Sequence, residues 1–476
     1  MEALGNILGS INSFMWGWWF IVLLFGTHLF LTIRLKFPQR YLGRAIKLSF
    51  TKDPDAQGDV SQFGALCTAL ASTIGTGNIV GVGTAIALGG PGAVLWMWLT
   101  GVFGMATKYA ECLIAVKYRV KDKNGMMLGG AMYALERGLN ARWLGIIFAF
   151  LAAICAFGIG AMVQSNAVVG QIQDSFGVPS IASGIVLTIL VGAVIIGGLK
   201  RITKVSEVVI PFMTIFYVLG CIIILIINGP YLGQALGMIV ESAFNPKAAG
   251  AGFISAVLME VMRRGISRGL FSNESGMGSA PLVAANATTR NSVRQALVSM
   301  TGTFWDTVIV CALSGLVVVS TIIAPNHINS TSAEIAGNGG KLISAAFDAI
   351  APGGVPIGKA VLTVGLFFFA SSTILGWAHY GERAATYLWS EKATLPYRII
   401  YVVFVFIGTV VSLQIVWDAA DIFNAAMAVP NIIAVLLLSN VVAKETKKYL
   451  VPGHMDESIM LKDEDPIPLR TDLLKK

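Results

Sequence analysis

The chain has 476 residues, of which 55% are hydrophobic and 13% charged, against about a quarter charged in ordinary soluble domains, and its mean hydropathy is +0.73. Soluble domains are excluded: apolar stretches of roughly 20 residues, the length a helix needs to cross hydrocarbon, follow one another almost end to end, as in an all-α polytopic membrane protein of about eleven spans. The net charge of +8 falls in short Lys/Arg clusters between those stretches, which is the pattern of membrane orientation and argues against a nucleic-acid partner.

The first apolar run, Trp16 to Ile33, has no basic residues before it and no small-residue cleavage site after it, so a retained helix is expected. Arg34, Lys36, Arg40, Arg44, Lys47 and Lys52 follow, and the positive-inside rule puts them in the cytoplasm and the N-terminus outside. The second span, about Gln62 to Leu88, is interrupted by Ser72-Thr73-Ile74-Gly75-Thr76-Gly77-Asn78. Gly75 and Gly77 favour conformations a helix does not use, and polar groups at that depth are costly unless satisfied. Gly89-Gly90-Pro91-Gly92 turns the chain outside, and a third span, about Ala93 to Val116, returns to Lys117, Arg119, Lys121 and Lys123.

A fourth span, about Leu144 to Ile172, carries Gln164, Ser165 and Asn166. A fifth ends at Lys200-Arg201, and the sixth runs from about Val208 to Ile227. The seventh starts near Phe253 and is broken at Phe271-Ser272-Asn273-Glu274-Ser275-Gly276-Met277-Gly278. An eighth span, about Ala296 to Ile323, is followed by a short amphipathic piece, Leu342 to Ile350, expected on the outer face. Spans near Val361 to Trp377, Ile399 to Val416 and Ile422 to Val442 complete the chain before a charged cytoplasmic tail to Lys476. The five cysteines, Cys67, Cys112, Cys155, Cys221 and Cys311, sit singly in apolar segments and read as packing residues.

The two broken helices lie about five spans apart and cross in opposite directions. Gly-interrupted segments at corresponding positions of two halves point to a secondary transporter with its site at the membrane midplane. One N-terminal helix (1–59, with its basic loop) would then precede a five-plus-five inverted repeat, its halves at 60–230 and 250–443, joined by an outer loop at 231–249 and followed by the tail at 444–476. Amides opening the second half-helix, at Gly75, Thr76, Gly77 and Asn78, suit a carboxylate, and carbonyls ending the first, at Ala71 and Ile74, suit a cation. An amino acid zwitterion uses both.

Ser371, Ser372 and Thr373 lie within one helical turn and offer neutral oxygens for sodium, although such hydroxyls also bond their own i−4 carbonyls. Gln164 either meets the zwitterion or makes a helix–helix hydrogen bond. Phe271, Met277 and Trp377 are pocket walls or packing. Arg263, Arg264, Arg268, Glu274 and Asp306 form neutralising ion pairs, or else a gate or a proton-coupled carboxylate. Lys108 and Glu111, one turn apart, are expected to pair. An intramembrane enzyme would need a convergent nucleophile and base or metal ligands, and neither an HExxH motif nor a His-rich cluster occurs. No cofactor and no obligate protein partner is expected beside the coupling ion and membrane lipid.

At Ile74-Gly75-Thr76-Gly77-Asn78-Ile79, Met105-Ala106-Thr107-Lys108-Tyr109-Ala110-Glu111 and Gly269 to Pro281 the chain resembles the sodium:alanine symporter family, over nearly its whole length to about Lys448. The resemblance implies a fold similar to the bacterial leucine transporter and sodium-coupled uptake of alanine or glycine, sometimes with protons, in the bacterial inner membrane. It implies that Gly75 to Asn78 binds the substrate carboxylate. Phe271 to Gly278, with Ser272, Gly276 and Met277, is by the same resemblance the second unwound helix. Gln164, Thr373 and Trp377 would line the pocket, and Ser371 to Thr373 would serve sodium with Ala71 and Ile74.

Overall fold

The computed structural model describes residues 2–51, 56–123, 125–245, 257–324, 328, 335, 337–411 and 413–450. The expected start of the seventh span at Phe253, parts of both outer loops, and the tail from Val451 to Lys476 lie outside the described residues. The chain is mostly helical, and seven described helices are long and apolar enough to cross a membrane, or eight if the bent pair around Gly75 is one span.

In chain order, α1 (Glu2–Met15) and α2 (Trp18–Arg34) are separated at Trp16-Gly17, and α3 (Leu42–Ser49) is a short basic helix. The helix α1 has no counterpart in the sequence reading. Ser61 caps α4 (Gln62–Thr73) by accepting from the Gly64 amide at 2.8 Å. After the break come a π turn, Gly77–Gly81, and α5 (Val82–Gly89), bent by 54° from α4. Gly90, at φ 75°, makes the expected turn into α6 (Ala93–Lys117). A two-stranded antiparallel hairpin, β1 (Val120–Lys121) with β2 (Met127–Leu128), leads to α7 (Ala131–Leu139) and α8 (Arg142–Cys155).

A second π stretch, Ala156–Val163, opens α9 (Gln164–Phe176), which stops at left-handed Gly177. Next are α10 (Ser180–Ile195), α11 (Gly198–Ile227) and α12 (Leu232–Ser242). The second broken helix consists of α13 (Leu258–Asn273) and the single turn α14 (Pro281–Ala284). A third π stretch, Phe304–Cys311, joins α15 (Ser292–Thr303) to α16 (Ala312–Ile323). The chain ends with α17 (Gly339–Asp348), α18 (Ile357–Trp389), α19 (Thr394–Gly408), α20 (Leu413–Leu437) and α21 (Ser439–Tyr449).

Burial orders these helices around a centre. The most apolar window of α6 is 83% buried and that of α18 is 72%, whereas α11 is only 39% buried, so α6 and α18 are central and α11 faces outward. Close approach needs small residues: a Cβ at Gly376 of α18 would stand 2.0 Å from Ser72 Oγ of α4. The amphipathic α17 packs one face against the bundle and leaves Lys341 and Asp348 exposed on the other. Leu342, Ile343, Ala346 and Phe347 are buried, and Gly83 of α5 meets the backbone of Gly339.

At the end where α4 begins, three chain segments are laced together. The Asp59 amide donates to Asn286 O at 2.8 Å and the Thr288 amide to Val60 O at 2.8 Å. Arg119 donates to the carbonyls of Ala285, Ala287 and Gln57 at 2.8 to 3.0 Å. Asp59 Oδ2 accepts from the Met127 amide at 2.9 Å and Asn286 Nδ2 at 2.8 Å. This lattice ties the leader of the first broken helix to the exit of the second. Asp59→Ala strands two donors at about 1–3 kcal/mol each, so the detergent-purified variant is expected to unfold at lower temperature; an unchanged midpoint would remove Asp59 from the lattice.

Candidate functional site

The α4 ladder closes for the last time at Ile74, whose amide donates to Leu70 O at 2.8 Å. Ile74 itself turns to ψ 94°, and the Gly75 amide, which a continuous helix would close on Ala71 O, instead donates to Asn78 Oδ1 at 2.8 Å. The break therefore releases the Ala71 and Ile74 carbonyls from helical donors. Thr373 Oγ1 of α18 lies 3.0 Å from Phe369 O in its own helix and 3.2 Å from Ile74 O, two acceptors for one proton, so the structure brings together one hydroxyl and one carbonyl of the expected cation site. Ser372 turns to Phe369 O and Met213 Sδ, on the α11 side. The Ser371 hydroxyl is buried with no hydrogen-bond partner among the described residues.

On the other side of the break, the Thr76 amide donates to Gln164 Oε1 at 3.2 Å, while Gln164 Nε2 donates to Ile159 O in the π stretch. The Thr76 hydroxyl is buried without a hydrogen-bond partner among the described residues. Gly75 sits where α4, α9 and α18 converge: a Cβ there would stand 2.4 Å from Thr373 Oγ1 and 3.0 Å from Gln164 Oε1. At Gly77 the two broken helices touch, since a Cβ would meet Ser272 Cα at 3.1 Å and Phe271 Cδ1 at 3.3 Å. Asn166 is separate from this group and donates to the Gly408 and Val411 carbonyls.

Asn78 spans the break, with Oδ1 on the Gly75 amide and its amide nitrogen turned to Asp306. Its Nδ2 donates to Asp306 Oδ1 at 2.7 Å and to Cys311 Sγ at 3.3 Å. Asp306 Oδ2 accepts from Ser272 Oγ at 3.0 Å and Thr307 Oγ1 at 2.5 Å, so this buried carboxylate joins the first break to the second.

In the second break Glu274 is left-handed, at φ 53°. Its carboxylate accepts from Trp377 Nε1 at 3.0 Å and Ser279 Oγ at 2.5 Å, which turns the Trp377 indole onto Glu274. Met277 is fully buried. Gly276 and Gly278 donate their amides to Glu111 Oε2 of α6, and Lys108 lies 3.3 Å from Glu111. The pairing of Lys108 with Glu111 was legible from their spacing; the role of Glu111 on the second break was not, because nothing in α6 announces which backbone it faces.

Arg263 and Arg264 share Glu260, at 2.8 and 2.5 Å. Arg268 takes neither that partner nor Asp306 nor Glu274; it approaches Asp421 of α20 at 3.6 Å. Its guanidinium lies 5.6 Å from the centre of the Phe271 ring and 5.8 Å from that of Trp417. A cavity opens directly beyond this layer, with the three arginines and Asp421 on one side and Asn12 and Trp16 from the N-terminal region on the other.

A model of the sodium:alanine symporter family matches residues 1–460. The chain belongs to that family. It is 49% identical to the sodium/alanine symporter AgcS of Methanococcus maripaludis, over 93% of this chain and 97% of that one. It is 36% identical to the probable sodium/glutamine symporter GlnT of Bacillus subtilis, over 94% and 91% of the two chains. The crystal structure of MhsT in complex with L-phenylalanine superposes with a TM-score of 0.57 at 16% identity, covering 82% of this chain and 93% of that one, which shows the leucine-transporter-like fold. The protein is thus a multi-pass amino acid:cation symporter and not an enzyme.

In this symporter Gly75→Ala drives a methyl group against Thr373 Oγ1 and Gln164 Oε1. Amino acid uptake by the variant is expected to fall at least about a hundredfold, the effect of about 2.7 kcal/mol; uptake within twofold of wild type would place the site elsewhere.

Proposed function

We propose that the symporter couples sodium entry to uptake of a small neutral amino acid, alanine with glycine or serine, by alternating access. The observation that carries this reading is the pairing of opposite polarities two residues apart on one break. Ile74 O lies 3.2 Å from Thr373 Oγ1, sharing its proton with Phe369 O, and the Thr76 amide donates to Gln164 Oε1 at 3.2 Å. Both partners are neutral side chains on other helices, so a cation and a carboxylate can replace them without leaving a buried charge unpaired.

The substrate carboxylate is assigned to the amides of Gly75, Thr76 and Gly77, with Asn78 bracing the break behind them. Gln164, Phe271, Ser272, Gly276, Met277, Thr373 and Trp377 surround it. Sodium is assigned to the carbonyls of Ala71 and Ile74 with Thr373 and Ser371, and Ser372 joins them only after a change of rotamer. The approach of Ser272 and Phe271 to Gly77 supports a small substrate. Arg268 with Asp421 serves as the outer gate, while Arg263 and Arg264 hold Glu260.

The architecture we assign is the expected one of about eleven spans, with one helix ahead of a five-plus-five inverted repeat. Residues 60–230 and 250–443 form the halves, 1–59 and 444–476 flank them, and 231–249 connects them outside. The N-terminus is outside and the C-terminus cytoplasmic. The buried carboxylates of Glu274 and Asp306 support a second reading, proton coupling on the same fold.

Uptake of labelled alanine into proteoliposomes separates the two. A sodium gradient at equal pH is expected to drive accumulation, and a proton gradient in choline is not; the reverse result would replace sodium by protons. Thr373→Ala is expected to raise the sodium concentration for half-maximal uptake about tenfold, the effect of about 1.4 kcal/mol, and an unchanged value would remove Thr373 from the ion site.

A further inference from the structure

The two breaks satisfy their amides by different chemistry. At the first, both acceptors are neutral amide oxygens, of Asn78 on Gly75 and of Gln164 on Thr76. At the second, Asn273 Oδ1 likewise accepts from the Ser275 amide at 2.9 Å, but two further amides share one carboxyl oxygen. Gly276 and Gly278, at φ 88° and 82°, direct their N–H groups to the same oxygen, Glu111 Oε2, at 3.1 and 3.3 Å, a concave arrangement of amides that favours an anion. Asn431 of α20 completes it, donating from Nδ2 to Glu111 Oε2 at 2.9 Å and to Gly276 O at 2.9 Å.

Lys108, 3.3 Å from the other carboxylate oxygen, neutralises the charge, and Lys108 and Glu111 are 3% and 0% exposed. An ion pair this deep costs more than a well-packed apolar pair, so close helix packing alone does not account for it. Its geometry is specific to the unwound backbone: Gly276 and Gly278 are left-handed, and a Cβ at Gly278 would stand 2.7 Å from Phe148 and 2.8 Å from Asn431.

We infer that Glu111 is a positioning residue: a resident carboxylate that fills the amide nest of the second break, holds Glu274, Met277 and Trp377 in place, and leaves the first break as the one amide site a substrate carboxylate can enter. The ligand class of the nest is a small monocarboxylate, supplied here by the protein itself. The inference rests on the transport reading above, and wild-type uptake in the same experiment separates failure of that reading from failure of this one.

The test is chemical rescue. Glu111→Ala proteoliposomes are expected to take up alanine at least tenfold more slowly than wild type. Formate, which crosses bilayers as the free acid, is expected to restore uptake saturably in Glu111→Ala and to leave wild type unchanged. Uptake by Glu111→Ala that equals wild type, or that formate does not raise, overturns the assignment.

Should Glu111→Ala fail to reach the membrane, Glu111→Gln decides, because it keeps the shape and one acceptor oxygen but leaves Lys108 unpaired. Its uptake is expected to be reduced and to recover in part when Lys108→Met is added. Wild-type uptake by the single variant, or no recovery in the double, overturns the assignment as well.

Discussion

A helix interrupted inside hydrocarbon leaves amides and carbonyls that the solvent cannot satisfy, at several kcal/mol for each group left bare. This symporter has two such interruptions, and much of its polar core follows from closing them. Asn78 and Gln164 close the amides of the first, Thr373 meets a carbonyl of the first, and Glu111 with Asn431 closes the second. Replaceable partners mark where cargo enters; a charged, threefold-bonded partner marks where it does not.

The breaks are also bound to each other. Asp306 accepts from Asn78 on one and Ser272 on the other, so a change at the substrate amides is felt at the end of α13. The path is closed unequally at its ends. Towards the cavity, the barrier is Arg268 against Asp421 and two rings, contacts of about 1 kcal/mol each when partly exposed. At the other end, the lattice of Asp59, Arg119 and Asn286 combines side-chain and backbone hydrogen bonds from three segments.

Much of this was legible in the residues. Glycines among polar residues in an apolar run marked both breaks, and the structure interrupts the helix at Ile74 and at Glu274. The pairing of Lys108 with Glu111 and the meeting of Thr373 with Ile74 followed from helical spacing and depth. What escaped was contact between elements distant in sequence. Arg268 finds Asp421, which reads as one more polar residue in the last long helix. Asn78 meets Asp306 from a π turn, and a single inserted residue per turn leaves no trace in apolar periodicity. The interlaced loops around Asn286 come from segments too short and irregular to show a pattern.

A cation and an amino acid bound to adjoining groups of one break must each change the other's affinity by the same factor. Equilibrium binding of labelled alanine to the purified symporter, titrated across sodium concentrations and complemented by sodium titration at fixed alanine, measures both factors. Affinity for alanine is expected to rise with sodium at least tenfold, with an equal rise in sodium affinity when alanine is added. Alanine affinity that is the same in sodium and in choline would contradict it.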